Sequence, residues 1–220
     1  MSSLQLNRRE ILRYLGCTAP SPPASMTQAV ERGCAHVLDT IRPKSVWRCF
    51  PLQGSRVGET ALELQGEDIR RHLAGCSQAV LMAVTLGSDI ERLLMRWEVR
   101  DLAFATVLDA CASEAVEAVC NDLEAALRTR FAGEGLHLTG RFSPGYGDLP
   151  LSHQRELCEL LDAQRRIGLT LSPTGLMIPR KSVTAVLGLS RRAVSRREDG
   201  CRGCSMFQSC PFRKGGNSCV

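Results

Sequence analysis

Arg141-Phe142-Ser143-Pro144-Gly145-Tyr146-Gly147-Asp148-Leu149-Pro150 lies between an apolar alternation (Leu136, Leu138) and a helix start at Ser152, so it connects a strand to a helix. Pro144-Gly145 is a turn signal, because proline presets φ and glycine accepts the positive φ that a type II turn needs. Gly145 and Gly147 flank Tyr146, so backbone there can approach a ligand without Cβ atoms in the way. Arg141 offers a planar fork to a carboxylate. Tyr146 offers a ring face to a cation and a hydroxyl for hydrogen bonding. Together they suit a ligand that carries both a carboxylate and a positive centre. An ordinary turn, with Arg141 in solvent and Tyr146 in the core, satisfies the same spacing.

Working outward, Asn7 is placed to cap a short helix from Arg8 to Leu15, ahead of a linker rich in proline at Pro20, Pro22 and Pro23. The apolar period predicts a second helix from about Ser25 to Ile41, stopped by Pro43. Ser45 to Leu52 and Thr60 to Leu64 read as strands, and Glu67 to Leu73 as a short helix. Gln78 to Leu86 is a nearly continuous apolar run, which predicts a strand covered on both faces. Ser88 and Glu91 then fit a capping box that opens the next helix. A helix start after Gly87 can cradle an anion, and a plain connection needs the same residues. The longest helical pattern runs from Asp101 to about Phe131, rich in alanine and interrupted by Glu114 and Glu117. Ser152 is placed to cap a helix with Leu157, Leu160 and Leu161 on its core face and His153 in its first turn, close enough to the Tyr146 loop to contact a ligand but at a position where histidine is more often exposed. Leu169 to Ser172, Leu176 to Ile178 and Ser182 to Leu189 read as short strands. Elements mixed without strict alternation predict an α+β fold with a mixed or antiparallel sheet packed by helices.

The chain has 220 residues, 44% hydrophobic and 23% charged, enough for one large domain with a real core. A net charge of +5 does not by itself argue for nucleic acid. Met1 to Gly16 lacks the apolar run of a signal peptide, and no stretch reaches the ~18 apolar residues of a membrane span. A cytoplasmic protein without membrane association is expected. Eleven cysteines, an odd number, argue against a secreted disulfide framework; Cys34, Cys76, Cys111, Cys120 and Cys158 read as small core residues. The composition changes after Ser190, where arginines surround Cys201-x-x-Cys204-x5-Cys210-x8-Cys219. Four thiols at this spacing suit tetrahedral zinc or an iron–sulfur cluster, and Cys201 with Cys204 also fits a redox dithiol. The chain thus divides into an N-terminal helix and linker (1–24), a main domain (25–190) and a basic, Cys-rich tail (191–220).

Arg141-x-x-Pro144-Gly145-Tyr146, followed by a helix and then by Leu169-Thr170-Leu171-Ser172, resembles the activation domain of cobalamin-dependent methionine synthase, in particular stand-alone members of that family. The likeness continues through Glu159-Leu160-Leu161-Asp162 and Ile178-Pro179-Arg180-Lys181-Ser182-Val183-Thr184, and spans roughly residues 100 to 190. It implies a domain that binds S-adenosylmethionine, whose methyl group rescues cobalamin oxidised to an inactive state. It also implies that Arg141, Phe142, Ser143, Pro144, Gly145 and Tyr146 contact the ligand, with Glu114 on the long helix aimed at it. Reduced cobalamin itself attacks the methyl group, so no catalytic side chain is expected and the protein's task is positioning.

Two departures bear on this. Ser182-Val183-Thr184 is followed by Ala185-Val186-Leu187-Gly188-Leu189, without the aromatic residues of the family, and the cobalamin-binding pattern Asp-x-His-x-x-Gly is absent. The resemblance therefore implies cobalamin held by a separate methionine synthase or related corrinoid protein. Rescue also needs an electron, which favours an iron–sulfur cluster over zinc at Cys201, Cys204, Cys210 and Cys219. The tail arginines suit an acidic electron carrier such as flavodoxin or ferredoxin. A competing reading is a non-catalytic ligand-binding module whose zinc-stapled basic tail contacts nucleic acid.

Overall fold

The computed structural model describes residues 4–17 and 21–193. Asn7 caps α1 (Arg8–Tyr14) as its residue type predicts, accepting the amides of Arg9 and Glu10. The next helix, α2 (Ala24–Thr40), buries Val30, Cys34 and Val37 at helical spacing. Next, β1 (Lys44–Gln53) turns at Gly54 into β2 (Arg56–Val57). There follow α3 (Glu67–His72), β3 (Gln78–Thr85), α4 (Asp89–Arg100), the long α5 (Leu102–Ala132) and the short β4 (His137–Leu138). The chain closes with α6 (His153–Leu161), α7 (Ala163–Ile167), the hairpin strands β5 (Thr170–Leu171) and β6 (Met177–Ile178), and β7 (Ser182–Ser190).

The main sheet has the order β2-β1-β3-β7-β4, and β5-β6 form a two-stranded sheet of their own. Amide bonds from Arg42 to Leu86 O and from Leu52 to Ser77 O tie opposite ends of β1 and β3, which sets them antiparallel. Ser77 to Leu189 O and Leu86 to Lys181 O do the same for β3 and β7. The outer pairs β1–β2 and β4–β7 are antiparallel as well. The fold is thus α+β with an antiparallel sheet. Every residue of β3 from Ala79 to Thr85 is fully buried, as the unbroken apolar run requires.

Contacts group the chain into two compact units. One draws on the chain up to Val46, Val84–Leu123 and Ala163–Val183; the other on Trp47–Ala83, Glu124–Asp162 and the chain from Thr184. In the first, Ile90, Leu93 and Leu94 of α4 are buried, as are Phe104, Leu108 and Cys111 of α5, and Trp97 meets Phe104 edge-on at 4.7 Å. In the second, Leu52, Val57, Ile69, Leu81, Phe142, Leu157, Val186 and Leu189 are buried.

Four expectations need correction. Thr60 to Leu64 is not a strand: Leu62 and Leu64 do alternate inward, but only Glu63 bridges, to Arg56, because Thr60 folds back on Val57 O. Ser88 makes no side-chain cap; Glu91, its expected partner, instead accepts from the backbone and guanidinium of Arg180 at 2.8 and 3.0 Å. Ser152 does not cap α6 either, whose entry is made by amide bonds back to Pro150, Leu151 and Ser152 carbonyls. His153 is buried rather than exposed. The helix α7 lies where no element was expected. Cys34, Cys111, Cys120 and Cys158 are buried and Cys76 is half-buried. No helix among the described residues is long and apolar enough to cross a membrane. Cys201, Cys204, Cys210 and Cys219 lie outside the described residues.

Candidate functional site

The Arg141–Pro150 connection belongs to the second unit. Strand β4 pairs His137 with Ser190 and Leu138 with Leu189, and the chain re-pairs at Phe142 with Val186. Four steps on one strand thus oppose three on the other, a β-bulge of one residue just before the loop. The Thr139 hydroxyl accepts the Gly188 amide at 2.8 Å inside the bulge. The extra residue changes the face on which Arg141 emerges.

After Phe142 the predicted turn is present. The Tyr146 amide donates to Ser143 O at 3.1 Å and Gly145 has φ +90°, the sign a type II turn demands at that position. Two further backbone bonds close the loop, Gly145 N to Leu149 O at 2.9 Å and Leu149 N to Tyr146 O at 3.1 Å. Phe142, Pro144 and Leu149 are buried beneath it, and the Phe142 ring meets the His72 ring at 5.3 Å. Tyr146 is 54% exposed, so it is not the core tyrosine of an ordinary turn.

The loop is anchored from α3. That helix starts at Gly66, which has no side chain to cap it, and the Asp148 carboxylate takes the role by accepting the Glu67 amide at 2.6 Å and the Asp68 amide at 3.0 Å. Close packing makes both flanking glycines necessary. A Cβ on Gly147 would strike the buried Asp68 carboxylate, and one on Gly66 would strike Asp148. Asp68 in turn pairs with Arg71.

Arg141 is largely buried and its guanidinium lies 3.2 Å from Glu124, which also pairs with Arg128 at 2.6 Å. Glu124 thus sits between the two guanidiniums. His153 bridges within the same unit: Nε2 accepts the Gln65 amide at 3.3 Å, so Nδ1 carries the proton donated to Glu156 at 2.6 Å. Glu114 belongs to the first unit. It is buried and accepts the Asn7 amide at 3.1 Å; burial pushes its carboxyl above the usual range, against the pull of that amide. Nearby Tyr14 is pushed up to about 12, first by burial and then by Glu117.

The structure therefore brings Arg141 to Tyr146 together in one pre-built loop. Its supports, Glu124, Asp148 and the bulge, escaped the sequence reading. The Glu124–Arg128 pair had a local signal in its i,i+4 spacing; Asp148 had none, since its partners are 80 and 81 residues away. Among the described residues no group of His, Cys, Asp or Glu is arranged to hold a metal.

The fold resembles that of a solved reactivation domain. Among solved structures the chain is similar to the MetH reactivation domain bound to AdoHcy, with a TM-score of 0.59 and 18% identity over 88% of this chain and 72% of that one. No family model matches the sequence, and no curated protein matches it.

Proposed function

We propose that the protein binds S-adenosylmethionine and presents its methyl group to oxidised cobalamin held by a separate methionine synthase or related corrinoid protein. The observation that supports this best is the pre-built Arg141–Tyr146 loop on a fold whose solved counterpart holds AdoHcy. In this reading the ligand's carboxylate meets Arg141, which Glu124 orients, and its sulfonium meets the exposed Tyr146 face. Gly145 lets backbone approach the ligand there, whereas Gly147 makes room for Asp68. Glu114 is proposed as an acidic contact to the ligand, as the family resemblance implies. The chain supplies positioning rather than acid–base chemistry.

Cys201, Cys204, Cys210 and Cys219 are proposed to hold one metal centre, an iron–sulfur cluster with zinc as the alternative, to which an acidic flavodoxin or ferredoxin docks in the cytoplasm. Metal analysis of protein purified without oxygen, with each Cys→Ser variant, tests this part by itself; undiminished metal in all four variants removes it.

The ligand site is tested by calorimetric titration of the full chain with S-adenosylmethionine and S-adenosylhomocysteine. Saturable binding is expected, weakened about tenfold or more in Arg141→Ala by loss of a charge-assisted contact. Binding untouched by that substitution would reject the site. Methylation of a cobalamin protein, followed by its visible absorbance under a chemical reductant, then tests the partner.

A further inference from the structure

Cys34 on α2 and Cys111 on α5 lie in the first unit and play no part in the proposed ligand loop. Their sulfurs are 3.9 Å apart, and the residues are 1% and 0% exposed. Gly33 makes this approach possible: a Cβ there would meet the Cys111 sulfur at 3.0 Å and Val107 Cγ1 at 3.2 Å. The Cys111 sulfur lies 3.8 Å from Val30 O and 3.9 Å from the Cys34 sulfur, so its proton can turn from the carbonyl to a Cys34 thiolate. Hydrogen bonding to Cys111 and, less strongly, the charge of Arg8 draw the Cys34 thiol down against the opposing effect of burial.

The beginning of α1 fastens down beside this pair. Arg8 grips Glu31, one turn before Cys34, through two bonds of 3.0 and 2.9 Å, and the Asn7 amide binds Glu114, one turn after Cys111. The Arg8–Glu31 pair is itself half exposed. A helix of seven residues does not persist without tertiary contacts, and besides these two pairs α1 buries one side chain, Ile11, so it can open locally while the rest stays folded.

We propose that Cys34 and Cys111 are a redox-active dithiol that a peroxide oxidises to an intramolecular disulfide joining α2 to α5, with the start of α1 as the cover that lifts to admit the oxidant. The Cys34 thiolate attacks a peroxide oxygen, the O–O bond breaks, and a sulfenic acid and hydroxide form. Cys111 then attacks that sulfur, the S–S bond forms, and the sulfenic oxygen leaves as water once protonated. In sum, two thiols and one peroxide give one disulfide and two waters, with two electrons passing from sulfur to oxygen. The sulfurs close by about 1.9 Å from their present separation to reach bonding distance.

The test uses the full chain, reduced and free of oxygen, treated with stoichiometric hydrogen peroxide, alkylated, digested and mapped by mass spectrometry. A peptide linking Cys34 to Cys111 is expected at a protein concentration where the far-ultraviolet spectrum stays native. In Cys111→Ser, Cys34 is expected to accumulate as a sulfenic acid trapped by dimedone. Glu31→Gln loosens the cover and removes a negative charge near Cys34, so it should speed disulfide formation several-fold. The proposal is overturned if both thiols remain alkylatable while the exposed Cys49 is oxidised, or if the link appears only in denaturant. A rate unchanged in Glu31→Gln overturns the role given to α1.

Discussion

Replacing Asp148 by alanine tests the way the Arg141–Pro150 loop is held. The Asp148 carboxylate accepts the first two amides of α3, at 2.6 and 3.0 Å, in place of the cap that Gly66 cannot provide. Loss of an aspartate cap costs ~0.5–2 kcal/mol, and the negative charge at a helix start contributes a further few tenths that salt screens. Asp148 is exposed, which argues against the upper limit, but two amides are left without it, which argues against the lower. The balance is about 1–2 kcal/mol, or about 2–8 °C in Tm for a chain of this size. Thermal unfolding followed by circular dichroism measures it, with ligand affinity measured on the same sample. In the proposed function, where the loop holds S-adenosylmethionine, the substitution should also weaken that binding several-fold, because Asp148 stands two residues after Tyr146. A Tm within about 1 °C of the parent would refute the capping argument. Lower stability with unaltered affinity would show that Asp148 staples α3 but does not position Tyr146.

Three further outcomes are expected. Gly188→Ala places a Cβ against the Cys76 sulfur and within 3.0 Å of Leu73 Cδ2, so overpacking should cost ~1–3 kcal/mol, read as a lower urea midpoint with an unchanged slope. Thr184→Val should leave stability equal or raise it by up to about 1 kcal/mol, because the buried Thr184 hydroxyl has no hydrogen-bond partner among the described residues; a clear loss would mean that a water or ligand satisfies it. Glu114→Gln should stabilise the protein at neutral pH. Burial raises the folded Glu114 pKa, so the folded state binds its proton more readily than the unfolded chain, and stability is lost as pH rises through that window. The Tm advantage of the glutamine variant should therefore shrink on acidification, and a difference independent of pH would contradict the burial argument.

What the sequence revealed depended on how far apart the deciding residues lie. The Asn7 cap, the alanine-rich α5, the apolar β3 and the Pro144-Gly145 turn are all specified by neighbours a few positions away, and all formed as read. Where a distant partner competes, the local signal lost. Glu91 had a serine three residues before it in the right box, yet Arg180 offers two donors and takes its carboxylate. His153 looked like a first-turn surface residue, yet the Gln65 amide recruits its Nε2 and buries the ring. The bulge before Arg141 was invisible for a related reason: one strand's alternation does not reveal how many residues its partner sets against it.

The supports of the loop bear directly on how it can bind. A flexible Pro-Gly-Tyr segment would have to surrender backbone and ring freedom on meeting a ligand, at roughly 0.5–1.5 kcal/mol for each side chain ordered. Here three backbone bonds close residues 143–149, Asp148 pins the far side, and Phe142, Pro144 and Leu149 fill the space beneath. That ordering is completed when the chain folds and is not charged again to binding. The two ends of the loop differ in exposure and in charge. In the proposed binding mode Tyr146 would meet a ligand from an exposed position, whereas a carboxylate reaching Arg141 would share it with Glu124. Arg128 holds Glu124 through its other oxygen and so fixes the carboxylate beside Arg141. Glu124→Gln should accordingly strengthen the attraction of Arg141 for an anion while loosening its aim. The loop would then discriminate less between S-adenosylmethionine and simpler carboxylates, a change visible in competition calorimetry. Discrimination equal to the parent's would mean that Glu124 has no part in orienting Arg141.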